Sequence, residues 1–167
     1  MAYNDFDGRI IAAEQFTFAT PAQYGHTHAW MVMGRKSLLF KVRACSEVRI
    51  LLAYDPYDVT SNVKEVVIGG WSNTKSAIYG DLISNTTVAT VDTINILSCD
   101  VFNDFWVEWY SAGIVVGKGT SLSSLEFMRY DDQNIHKINA LSFSTGAGSA
   151  GEWQVGSQAG NNSSFQF

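Results

Sequence analysis

Leu38-Leu39-Phe40-Lys41-Val42-Arg43-Ala44-Cys45-Ser46-Glu47-Val48-Arg49-Ile50-Leu51-Leu52 is the stretch whose reading decides the fold class. Phe40, Val42 and Ala44 share one face of an extended chain and Lys41 and Arg43 the other; Val48, Ile50 and Leu52 repeat the alternation after Ser46-Glu47. Successive side chains leave a strand on opposite faces, so a period of two marks half-buried strands. The pattern predicts a hairpin that turns at Ser46-Glu47 and ends at Asp55-Pro56-Tyr57-Asp58, where aspartate and proline supply turn chemistry.

The same period recurs in both directions. In Asp104-Phe-Trp-Val-Glu-Trp-Tyr the residues Phe105, Val107 and Trp109 point one way and Trp106, Glu108 and Tyr110 the other. Ser111-Ala112-Gly113 then turns the chain, and Ile114-Val115-Val116 returns beside it before Gly117-Lys118-Gly119. Gln15 to Met33 reads as one or two strands broken near Pro21, and Asp81 to Thr93 as two short edge strands with Asn85 at a turn. Leu125–Tyr130, Ile138–Ser144 and Glu152–Val155 add three more strands. Glu65 to Tyr79 reads as a strand, a sharp bend at Gly69-Gly70 and a second strand, the glycines allowing a bulge or a close backbone approach.

No window of a dozen residues carries the i, i+3, i+4, i+7 pattern of an amphipathic helix. The expected fold is therefore all-β: an antiparallel two-sheet β-sandwich with jelly-roll-like connectivity. Residues 1–155 read as one domain and 156–167 as a Gly-, Ser- and Asn-rich tail, with Phe165 and Phe167 able to dock at its end.

Composition narrows the partners. Charged residues make up 16% of the 167-residue chain, against about 25% in average domains, so the surface is mostly neutral and polar. A net charge of −5 with 11 scattered Lys and Arg residues gives no basic stripe for phosphates, which disfavours nucleic acid and anionic membrane. No apolar run reaches membrane-spanning length. Without a basic and then apolar leader the expectation is cytoplasmic by default, or extracellular if the chain is a mature form. Cys45 and Cys99 lack any zinc-ligand spacing and read as two buried thiols, with a disulfide left open because it depends on a Cα separation that sequence does not contain.

Taken together, Ile68-Gly-Gly-Trp-Ser-Asn-Thr-Lys-Ser, Asp104-Phe-Trp-Val-Glu-Trp, Ile114-Val-Val-Gly-Lys-Gly and Ser144-Thr-Gly-Ala-Gly-Ser-Ala-Gly-Glu-Trp resemble the farnesoic acid O-methyltransferase domain, in order and spacing, from about Trp30 to Trp153. The resemblance implies methyl transfer from S-adenosylmethionine to a terpenoid carboxylate. It equally implies an accessory recognition domain of animal extracellular proteins. Relatives often have arginine where this chain has Tyr79.

The residues themselves favour recognition over catalysis. Common adenosylmethionine sites need a Gly-rich turn meeting a helix N-terminus on a parallel sheet, whereas Gly117-Lys-Gly and Gly146-Ala-Gly lie in strand-turn context. His26-x-His28 could chelate a metal only with a third ligand, His136 being the only other histidine, and solvated histidines on an edge strand account for the pair. Glu108 between Trp106 and Tyr110 could serve as the general acid of a sugar hydrolase only with a second carboxylate, Glu65, Asp104 or Glu126. No metal and no cofactor is expected.

Sugars are held by an aromatic platform with Asp, Asn and basic groups on the hydroxyls. The candidate ligand residues are Trp71, Asn73, Thr74, Lys75 and Tyr79 in one group, Asp55 with Tyr57 and Asp58 in a second, Asp131 and Asp132 with Asn134 in a third, and Trp153. The expectation is a non-catalytic, lectin-like module that binds a glycan or small polar ligand in a loop-lined groove, as a homo-oligomer. A methyltransferase and an adhesion domain without a small ligand are the alternatives.

Overall fold

The computed structural model describes residues 2–4, 10–12, 15–26, 28–32, 34–55, 57–133, 135, 137–156 and 164–165. Among these the chain forms β1 (Ala2–Asn4), β2 (Ile10–Ala12), β3 (Gln15–Thr20), β4 (His28–Met31), β5 (Ser37–Ala44), β6 (Val48–Asp55), β7 (Asp58–Gly69), β8 (Lys75–Asp81), β9 (Thr86–Asp92), β10 (Asn103–Tyr110), β11 (Gly113–Lys118), β12 (Glu126–Asp131), β13 (Ala140–Thr145), β14 (Gly151–Gly156) and β15 (Ser164–Phe165). A six-stranded sheet, β12-β11-β10-β5-β14-β3, faces a seven-stranded sheet, β15-β4-β13-β6-β7-β8-β9, and β1 pairs with β2 apart from both. Every strand pair is antiparallel. The fold is a jelly-roll-like β-sandwich.

Alternation does what the sequence required. Phe40, Val42, Phe105, Val107 and Trp109 from the smaller sheet meet Val48, Ile50, Leu52, Val66, Ile68, Leu141 and Phe143 from the larger one in a single buried core. Trp153 sits at its middle, 1% exposed, with Phe143, Phe40 and Phe18 rings centred 5.1, 5.7 and 5.8 Å away. Its indole N–H donates to Thr20 Oγ1 at 2.9 Å, which satisfies the one polar atom such burial would otherwise strand.

The predicted hairpin at Ser46-Glu47 does not form. β5 pairs with β10 and β14 in one sheet, while β6 pairs with β13 and β7 in the other. The chain crosses between the sheets at residues 45–47, and both strands alternate because both face the same core from opposite sides. The turn at Asp55–Asp58 does close a hairpin, β6 to β7, with Tyr57 N–H donating to Asp55 Oδ1 at 2.9 Å. The stretch Asp81 to Thr93 gives one edge strand, β9, after a turn in which Asn85 holds a φ of 52°, rather than two.

The cysteines are also not free thiols. Cys45 and Cys99, with Cα atoms 4.2 Å apart, are joined in a disulfide that ties the sheet crossing to the loop before β10. The crossing delivers Cys45 to that loop, 54 residues away in sequence. At the other terminus, Ser164 and Phe165 extend the larger sheet beside β4. Phe167, Asn134, His136 and the side chain of His28 lie outside the described residues.

Candidate functional site

Glu65 to Tyr79 builds the wall of an open groove. β7 ends at Gly69, where φ is 62° and a Cβ would stand 2.6 Å from Leu97 Cδ1 and 2.8 Å from Asn73 Oδ1, so glycine is required there. The next turn, Gly70–Asn73, is left-handed, with Trp71 at φ 49° and ψ 55°, Ser72 at φ 57° and ψ 45°, and Asn73 at φ 62°. Left-handed residues other than glycine cost about 1–2 kcal/mol each, so three in succession need outside support.

The loop after β9 supplies it. The Asn73 side-chain amide donates to Leu97 O at 3.0 Å and accepts from Leu97 N–H at 3.1 Å. Asn95 N–H donates to Asn73 O, Thr93 N–H to Thr74 O, and Thr74 Oγ1 to Trp71 O. Ala44 N–H donates to Ser98 O, next to the disulfide. The turn is thus clamped to a loop that is itself bolted to the sheet crossing, and Trp71 is left 48% exposed.

With Trp71, the groove is lined by Glu47, Arg49, Val67, Tyr79 and Ala147, together with Gly70 and Ser72 of the turn, and Arg49 and Val67 are register partners on β6 and β7. Together they enclose about 320 Å³, within the usual range for small-ligand sites. Glu47 N–H donates to Gly69 O at 2.8 Å and Ser46 N–H to Ser149 Oγ at 3.1 Å, so the crossing holds both rims in place.

A buried charge network lies beneath the groove, on the outward face of the larger sheet. Glu65, with no solvent exposure, accepts from Arg49 Nη1 at 2.7 Å, His26 Nε2 at 2.8 Å and Tyr24 Oη at 3.2 Å. Arg49 also donates to Glu47 Oε1 from Nε at 3.2 Å and from Nη2 at 2.5 Å, and its guanidinium stands 5.0 Å from the centre of the Tyr24 ring and 6.0 Å from that of Tyr79. Burial pushes the Glu65 carboxyl up, but the His26 hydrogen bond and the Arg49 and His26 charges outweigh it and hold the group below its ordinary 4.5. Burial and the neighbouring Glu65 charge push the Tyr24 phenol up to about 12.

Residues 21–26 carry Tyr24 and His26 across this face as a strap. Thr145 Oγ1 donates to Pro21 O at 2.9 Å, and Gly25 N–H donates to Ser144 Oγ at 2.9 Å. His26 is therefore a partner of Glu65, and no cluster of three metal-ligating side chains exists among the described residues.

The expected ligand residues fall in different places. Trp71 and Tyr79 line the groove. Asn73 is consumed by the Leu97 clamp, Thr74 caps the turn, and Lys75 is exposed where β8 begins. Asp55 lies at the other end of β6, and Asp131 and Asp132 lie beside the β10–β11 turn, where Asp132 N–H donates to Ala112 O. Trp153 belongs to the core. Glu65 is separated from Glu108 by the sandwich, Asp104 pairs with Lys41 at 3.1 Å and Glu126 with Arg129 at 2.8 Å, so no carboxylate pair forms around Glu108. Glu47 and Arg49 escaped sequence reading because Glu47 looks like an ordinary polar turn residue and Arg49 like the polar face of an ordinary strand.

Fold and site together define a jelly-roll-like sandwich with a surface groove at the end where the disulfide ties the sheet crossing to the loop before β10. The chain belongs to the farnesoic acid O-methyltransferase family, whose model matches residues 18–159 and so includes every residue of the groove. A relative from Haliotis asinina, "Uncharacterized protein 5", is 32% identical over 130 residues, which is 73% of this chain and 74% of that protein. Among solved structures, a mutant of the endo-beta-1,3(4)-glucanase SCLam, co-crystallised with an oligosaccharide, aligns with a TM-score of 0.48 at 14% identity over 74% of this chain and 59% of its own. A Bacillus subtilis protein of unknown function with a galectin-like fold aligns with a TM-score of 0.41 at 8% identity, covering 92% of this chain and 80% of its own.

Proposed function

We propose that the chain is a non-catalytic carbohydrate-binding module and that the groove between Glu47, Arg49, Trp71, Tyr79 and Ala147 holds the sugar. The observation that carries this reading is Trp71. A large indole held in solvent on a left-handed turn is costly for folding and suits an aromatic platform under the apolar face of a pyranose. Arg49 and Glu47 then offer donors and acceptors to hydroxyls at its side. Of the residues expected from sequence, Trp71 and Tyr79 keep a ligand role in this proposal; Asn73, Thr74 and Lys75 shape the turn beneath them.

A methyltransferase built in the common way would need a helix N-terminus over a parallel sheet to receive the adenosylmethionine carboxylate and ribose. The described residues offer neither. The disulfide favours an oxidising compartment, where such bonds persist. Homo-oligomers, which would turn weak single-site affinity into avidity, complete the proposal.

A glycan array competed with free sugar tests it directly, with sedimentation velocity reporting subunit number. Sugar-competable binding is expected. If no sugar competes and calorimetry registers adenosylmethionine binding instead, the lectin reading is lost.

A further inference from the structure

We infer that the groove selects uncharged glycans and rejects sialylated or sulfated ones, an inference that rests on the carbohydrate reading above. An arginine in a sugar site ordinarily suggests the opposite, because its planar fork matches a carboxylate or sulfate bidentately. Here that fork is already occupied. Nε and Nη2 both donate to Glu47 Oε1, and Nη1 donates to Glu65 Oε2 at 2.7 Å. Two carboxylates therefore share one guanidinium: Glu65 is wholly buried and holds Nη1, and a Glu47 that turned away would leave Nε and Nη2 without the acceptor they share.

Counting charge at the groove gives a net value of −1 for Glu47, Arg49 and Glu65 when the His26 imidazole is neutral, and zero when it is protonated. In neither state does the cluster attract an anion. A guanidinium has five N–H hydrogens, of which three have acceptors among the described residues. The remaining two can donate to ring or hydroxyl oxygens, while Glu47 accepts from a hydroxyl. Such a donor and acceptor pair beside the exposed indole of Trp71 recognises a neutral vicinal diol, and an incoming carboxylate meets like charge at Glu47.

The test uses the full chain on an array of matched glycan pairs that share a core, one member neutral and the other carrying a single carboxylate or sulfate. The neutral members are expected to bind at least about tenfold more tightly, with affinity nearly flat from about 0.05 to about 0.5 M salt. Glu47→Gln, checked by thermal melting for an intact fold, should narrow that gap by releasing the guanidinium's charge. Equal or stronger binding of the acidic members overturns the inference and leaves the carbohydrate reading standing. Silence from every glycan takes down both. The wild-type comparison decides the matter even if the Glu47 variant melts early.

Discussion

Trp71 spends conformational energy to be in solvent, and that allows stability and binding to be separated at one residue. Trp71→Ala should abolish glycan binding while the melting temperature moves little, because the indole is half exposed and fills no core space. Trp71→Gly is the sharper test. Relief of the left-handed backbone should raise stability by up to about 1 kcal/mol while binding disappears, read by thermal melting beside the array. A large fall in melting temperature with either change would make Trp71 a packing residue. Glu65 gives the opposite kind of prediction. Its carboxyl is held below its ordinary 4.5 in the folded state, so the stabilisation is fully present above that pH and drains away as pH falls through the depressed folded value. Glu65→Ala, which leaves Arg49 and His26 facing an empty site, should cost about 3–5 kcal/mol at neutral pH and flatten the acid limb of the melting profile. Tyr24 acts at the other extreme: its phenol is raised to about 12 from 10.0, so its contribution holds below pH 10 and is lost as pH climbs towards 12.

Among the elements, the left-handed turn and the loop after β9 work as one piece, and the Cys45–Cys99 bond is what fixes that piece to the sheets. A double Cys→Ser variant releases a 54-residue span in the unfolded chain and should lose about 2–4 kcal/mol, a drop of roughly 5–15 °C in melting temperature. It should also weaken glycan binding, since Leu97 holds Asn73 and Asn73 sets the direction of Trp71. A variant that melts early but binds normally when folded would show that the clamp serves the fold alone. The elements also show where sequence was readable. Strand identity followed from alternation where one face is solvated, as in β5, and from short β-type runs between turns where both faces are buried, as in β11 and β13; Glu65 to Tyr79 was legible as strand, bend and strand because Gly69-Gly70 interrupts an apolar run. The partner of each strand was not legible at residues 45–47: a turn within one sheet and a crossing between two sheets both place alternating residues against one core. That ambiguity hid the disulfide, and with it the reason the bend is rigid.

Over the whole molecule, the sequence offers Trp71, Asp55 and the Asp131-Asp132 pair as separate candidate groups, because each stands among polar turn residues, and does not say which end of the sandwich carries the groove. The register separates them. β6 runs from Val48, beside the groove, to Asp55 at its far end, and Ala53 is bound there to Asn139, which also bonds to Val32. Trp109 is likewise bonded to Lys36, and the β10–β11 turn near Asp131 follows immediately. Asp55 and Asp131 thus occupy the end of the sandwich remote from Glu47 and the disulfide. Sites that share no partners are expected to act additively. Asp55→Ala combined with Asp131→Ala should therefore leave glycan affinity within about twofold of wild type and shift stability by no more than about 1 kcal/mol, because Asp55 bonds within an exposed turn and Asp131 makes only exposed contacts to Tyr110 and Arg129. Calorimetric titration of the double variant with a sugar that binds the wild type provides the measurement. A loss of binding there, with Trp71 intact, would move the ligand to the opposite end of the sandwich and make the Trp71 groove a product of folding alone.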